Sequence, residues 1–277
     1  MLLRLGYDMQ FDISEAVACV AQLRVHPSRA RDLKEPDHVL IEPGGFPVEE
    51  YTDAFGNSCT RFLAPKGILR LRNDFVLEDS GLPDPVRLDA RAFPIAVLPH
   101  EVLQFLLPSR YCEVDRLTAT AFDLFGQTTP GWQRVQAVCD WVHDKVAFGY
   151  SFARPTKTAL DVFTERQGVC RDFQQLAITF CRALGIPARY AAGYLGDIGI
   201  PPAPFPMDFS AWFEVFLENR WWAFDARHNV PRQGRILMAT GRDAADVAFF
   251  TSFGAAPLKS FLVISEEVQS ELRQKAS

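Results

Sequence analysis

The stretch Gly168-Val169-Cys170-Arg171-Asp172-Phe173 places a cysteine directly after a glycine-led break and directly before a helical pattern. Phe173, Leu176, Ala177, Phe180, Cys181 and Leu184 recur at helical spacing, so they share one face of an α-helix, and Cys170 falls on that face three residues before Phe173. Gly185 and Pro187 end the helix. A thiol in the first turn stands in the field of unpaired backbone N–H groups, which favours thiolate. The competing reading is a small buried residue at the start of a core helix.

Working outward towards the C-terminus, Arg189-Tyr190-Ala191-Ala192-Gly193-Tyr194-Leu195 reads as a strand. A proline-rich loop from Asp197 to Asp208 follows, then strands at Phe209–Leu217 and Trp221–Ala226 joined tightly through Asn219-Arg220. A helix is expected near 242–249 and a last strand at Ser260–Ser265. Upstream, Thr129-Pro130 opens a helix whose apolar stripe is Trp132, Val135, Cys139, Val142 and Val146. Thr158 and Asp161 form a capping box for a short helix at Thr158–Glu165. Helices first and antiparallel strands after make residues 109–277 an α+β domain.

Residues 3–13 alternate strictly, with Leu3, Leu5, Tyr7, Met9, Phe11 and Ile13 on one side, which predicts a half-buried strand. A second strand takes in Cys19, Ala21, Leu23 and Val25. Tyr51–Ser58 is a hairpin turn in which Gly56 and Asn57 can take positive φ. Further strands are expected near 68–77, 86–91 and 93–98, so residues 1–108 read as an antiparallel β-sandwich.

Composition bounds the function classes. A chain of 277 residues has room for about two domains, and 48% apolar with 23% charged residues is ordinary for a globular protein. The net charge of −5, with no block of Lys and Arg, excludes nucleic acid and anionic membrane as expected partners. The N-terminus has no signal-peptide pattern and no apolar run is long enough to span a bilayer. Six scattered cysteines without CxxC or metal-like pairing with histidine suit free thiols in a reducing cytoplasm, and no metal or other cofactor is called for.

Three blocks now stand in order: Gly168–Phe173, Ala211-Trp212-Phe213-Glu214-Val215, and Trp222-Ala223-Phe224-Asp225-Ala226-Arg227-His228-Asn229. Together they resemble the bacterial transglutaminase-like family, a papain-like cysteine fold. The resemblance spans roughly residues 109–277, and the β-rich first part resembles the N-terminal domain of the same bacterial proteins. It implies a Cys-His-Asp triad, with the cysteine at Cys170 and the aspartate at Asp225. The family's histidine precedes Ala-Trp in the second block, and here that position is Ser210. A hydroxyl can hydrogen-bond the thiol or the carboxylate, but it cannot take a proton near neutral pH.

Strand parity places Ser210, Trp212, Glu214 and Phe216 on one face, so Trp212 and Glu214 are expected to line the site. On the next strand Trp221, Ala223, Asp225 and Arg227 share a face. His228 points away from Asp225 if that strand continues, and towards no fixed side if a turn has begun. His143 sits at the edge of its helix's stripe, and His26, His38 and His100 belong to the β-rich part. Without an imidazole, a thiol of pKa about 8.5 gains at most ~2 kcal/mol from a helix terminus. Losing one member of a comparable triad costs on the order of 10⁴–10⁶ in turnover.

Two expectations follow. The first is a cysteine-dependent amide hydrolase or acyltransferase acting on peptides or proteins, weak for want of the motif histidine. The second is a catalytically silent relative that holds a peptide or protein in the same cleft. Cys181 is read as packing and Asp172 as serving the helix N-terminus. The sequence leaves the oligomeric state open.

Overall fold

The computed structural model describes residues 1–204 and 206–268. β1 (Leu2–Ile13) turns the alternation into geometry: Leu3, Leu5, Tyr7, Met9, Phe11 and Ile13 are all buried. β2 (Val17–Ala21), β3 (Leu40–Glu42), β4 (Val48–Thr52), β5 (Ser58–Ala64) and β6 (Gly67–Glu78) follow. The β4–β5 turn has Gly56 at φ +86°, as expected. Asn57 does not adopt positive φ. Its side chain turns inward instead, donating to the Thr240 carbonyl and accepting from the Thr240 N–H, each at 2.8 Å.

The strands expected near 86–91 and 93–98 do not form. Pro85, Pro94 and Pro99 fix φ and remove donors, and the segment carries short 3₁₀ turns at Ile95–Val97 and His100–Leu106.

The chain then becomes helical. α1 (Val114–Phe125) was not foreseen; α2 (Trp132–Lys145) starts after Gly131 rather than at Thr129. β7 (Ala147–Phe148) precedes α3 (Ala159–Glu165), whose cap is the reciprocal Thr158–Asp161 pair, with bonds of 3.0 and 3.3 Å. β8 (Gln167–Gly168) pairs in parallel with β7 and leads into α4 (Cys170–Ala183). β9 (Ala188–Leu195), β10 (Ser210–Leu217), β11 (Arg220–Phe224) and β12 (Arg235–Gly241) make an antiparallel sheet of order β11-β10-β9-β12.

The helix expected near 242–249 is a turn. The Asp243 carboxylate accepts from the Ala245 N–H and that of Asp246 from the Arg242 N–H, which satisfies the backbone locally in place of a helical ladder.

β13 (Phe250–Ser252) and β14 (Leu258–Glu267) correct the expected division at residue 108. β14 pairs with β1 from Leu3–Glu267 to Phe11–Leu258, and β13 pairs with β2. The sandwich therefore consists of β14-β1-β6-β3 and β13-β2-β5-β4, with strands from both ends of the chain. The reason is edge satisfaction: β14 occupies the side of β1 that β6 leaves unpaired.

The central sheet is covered on both faces. Phe213, Val215, Leu217 and Phe224 pack towards α2 and α4 in one core. Tyr194, Phe209, Ile236 and Met238 join the sandwich core with Tyr7 and Phe75. Among the described residues no helix is long and apolar enough to cross a membrane.

Gly193, opposite Ser210 in the β9–β10 register, has no room for a side chain: a Cβ there would lie 2.0 Å from the Ile236 carbonyl oxygen. Gly193→Ala is expected to lower stability by about 3 kcal/mol, the cost of forcing atoms into a packed interior. An unchanged midpoint in thermal or urea unfolding would refute this.

Candidate active site

Cys170 is the first residue of α4. The buried Asp172 carboxylate accepts from the Val169 N–H at 2.9 Å and from Arg171 Nε at 3.0 Å. Val169 offers no side-chain acceptor in return, so only half of a reciprocal cap is made. A Cβ on Gly168 would sit 2.7 Å from Asp172 Cβ, so the glycine before the cysteine leaves room for the capping carboxylate.

One turn further, Gln174 rivets the helix to the sheet. Its amide donates to the Ala211 carbonyl at 3.1 Å and to Asp225 Oδ1 at 3.0 Å, and its oxygen accepts from the Ala226 N–H at 3.1 Å.

β11 ends at Phe224, opposite Phe213, so Asp225 comes one step beyond, on the face of Ser210 and Trp212. The strand stops there because Asp225 Oδ1 accepts from the N–H groups of Arg227 and His228, at 3.0 and 3.1 Å. This turn swings His228 back, and its Nδ1 lies 2.9 Å from Asp225 Oδ2. The extended continuation that would have pointed His228 away does not exist. Asn229, at φ +53°, completes the turn and is held by Gln136 and Asp140, each at 2.8 Å.

Burial by itself would raise the Asp225 pKa. The His228 hydrogen bond and the Arg235 charge 3.5 Å away outweigh it and hold the carboxyl far below the usual carboxylate range. Arg235 is in turn fixed by Asp84, from the irregular segment before α1, at 3.0–3.1 Å.

Cys170 is half-buried, the other five cysteines are buried, and all six are free. The expected helix-terminus activation does not prevail. Burial pushes the Cys170 thiol up, the nearby Asp208 adds to this, and Arg227 with backbone hydrogen bonds from Arg171 and Ala211 only partly opposes it.

Cys170 and Ser210 stand on the wall between two cavities. One, of about 80 Å³, is lined by His228, Arg227 and Arg232 and by Ala203, Pro206 and Met207 of the proline-rich stretch. The other, of about 280 Å³, runs towards the sandwich. Cys170, Ser210 and His228 thus face one cleft, with Asp225 behind His228. Ser210 Oγ is buried and has no hydrogen-bond partner among the described residues.

Trp212 and Glu214, expected to line the site, line neither cavity. Glu214 is directly opposite Arg189 on β9 and forms an ion pair with it at 2.6 Å. Trp212 is buried with the Arg235 guanidinium 4.8 Å from its ring.

Residues 118–226 match the model of the transglutaminase-like superfamily. This segment is a transglutaminase-like domain. The match contains Cys170, Ser210 and Asp225 and ends two residues before His228. Across the wider chain, the crystal structure of a "Putative Cysteine Protease" from Cytophaga hutchinsonii superposes with a TM-score of 0.81 at 29% identity, covering 98% of this chain and 91% of that one. An uncharacterized protein of Mycobacterium leprae is 26% identical over 204 residues, 72% of this chain and 73% of that one. An uncharacterized protein of Mycobacterium tuberculosis is 35% identical over 97 residues, 31% of each chain.

Two measurements check the electrostatics of the transglutaminase-like site. The Asp225 carboxyl titrates below its unfolded value near ~3.9, so its contribution is complete above that pH and is lost as pH falls through the acid range. Asp225→Asn is expected to cost about 3 kcal/mol at neutral pH, with the gap to the wild type narrowing below about pH 4. A gap independent of pH would refute this. For Cys170, the rate of iodoacetamide labelling should rise through a pH above the ordinary thiol value of about 8.5. A midpoint below it would refute the raised pKa.

Proposed function

We propose that the protein is a cysteine-dependent amide hydrolase or acyltransferase acting on peptide or protein substrates. Cys170 is the nucleophile, His228 the base and Asp225 the group that orients the base. The observation that carries this reading is the Asp225–His228 hydrogen bond at the wall of the cleft onto which Cys170 opens.

A carboxylate only accepts hydrogen bonds, so the proton of a neutral His228 sits on Nδ1 and the Nε2 lone pair is left for the thiol. With its pKa raised, Cys170 does not begin as a thiolate. The imidazole takes the thiol proton as sulfur attacks the substrate carbonyl, then returns it to the departing amine. The thioester that remains is resolved by water in hydrolysis or by a second amine in acyl transfer. The base comes from a turn rather than from Ser210 on β10, and little thiolate is present, so turnover is slow. The free cysteines support a cytoplasmic location.

A second reading, a silent peptide-binding relative, is favoured by the hydroxyl at 210 and the raised thiol pKa. Release of amine from a panel of peptide amides separates the two. The first reading expects slow turnover that Cys170→Ala abolishes and His228→Asn lowers by about 10²-fold or more. A silent wild type that gains activity on Ser210→His would establish the second reading instead.

A further inference from the structure

The larger cavity beside Cys170 is built by both halves of the molecule. Tyr190, Ala192 and Phe209 come from the central sheet and its approach, and Met9, Phe249 and Phe261 from the sandwich side. Its volume of about 280 Å³ exceeds the ~150 Å³ that suffices for a benzene ring in an apolar protein cavity.

Polar groups occur at the Cys170 end. Ser210, 8% exposed, places an unpartnered hydroxyl there, and burial pushes the Asp208 carboxyl up. Apart from the Tyr190 hydroxyl, the rest of the lining offers aromatic and aliphatic surface. A carboxamide or carboxylate carried deep into it would be desolvated without partners, whereas an aromatic or branched aliphatic group would gain burial.

We propose that this cavity is an acyl-side-chain pocket, which selects substrates whose reacting carbonyl bears a large apolar side chain, with the Ser210 hydroxyl hydrogen-bonding the adjoining backbone amide. The inference rests on Cys170 being the reacting group of the site. It gives the sandwich a part in specificity, through Met9 on β1 and Phe261 on β14.

The test uses alkylation, which needs the thiol but not turnover. The full chain is treated with N-acetyl amino-acid chloromethyl ketones bearing Phe, Leu, Ala or Gln side chains, and modification of Cys170 is followed by mass spectrometry. The Phe and Leu reagents are expected to react at least about tenfold faster than the Ala and Gln reagents, the discrimination an apolar pocket supplies. Ala192→Phe, which fills the cavity, should bring the Phe reagent down to the Ala rate. Phe261→Asp, at a partly exposed position, should do the same should the first variant fail to fold. Equal rates across the set, or a preference for Gln, would overturn the proposal. Discrimination without amide turnover would support the pocket and count against the proposed activity. Turnover without discrimination would overturn the pocket alone.

Discussion

A carboxylate removed from water has to be neutralised or surrounded, and Asp225 is surrounded. Four hydrogen bonds and one guanidinium converge on it, from α4, from its own turn and from the first residue of β12. Two of these partners are themselves tied elsewhere: Gln174 to β10, Arg235 to Asp84. One charge therefore links the cysteine helix, the end of β11 and the orientation of the imidazole. Breaking such a buried network leaves uncompensated groups, which is why it holds its shape more firmly than an exposed ion pair would.

At Cys170 the balance goes the other way. A helix terminus contributes roughly 0.3–1 kcal/mol towards an anion, while burial of a thiol moves its pKa by as much as several units. Desolvation dominates at Cys170 and the thiol is held protonated. On the proposed activity, such a site would work by concerted proton removal rather than by a standing thiolate–imidazolium pair, and its base would matter more for that reason.

Much of this was legible in the sequence. The alternation of β1, the stripe of α4 and the Thr158–Asp161 cap are local signals that tertiary contacts reinforced. The strands expected near 86–98 failed because apolar residues there are punctuated by prolines. The 242–249 helix lost to short carboxylates bonding their own backbone. β12 and the return of β14 to β1 depend on pairings between distant segments that no local window records. The side of His228 was left open for a related reason: parity points it away from Asp225 only if the strand continues, and Asp225 ends the strand with a turn. Asn229 in the left-handed region marks that turn, and the three-residue spacing of Asp225 and His228 is the signal that would have found it.

The pairing of β1 with β14 also orders events in time. A chain made from its N-terminus exposes β1 early, yet the strand that completes that edge, and supplies Phe261 to the cavity wall, emerges only after the whole transglutaminase-like segment. Such a distant closure is slow to find, since the intervening loop must be ordered first. Until it happens the cavity beside Cys170 lacks a side, so a nascent or clipped chain would carry the thiol without the complete cavity that is proposed to select what it meets.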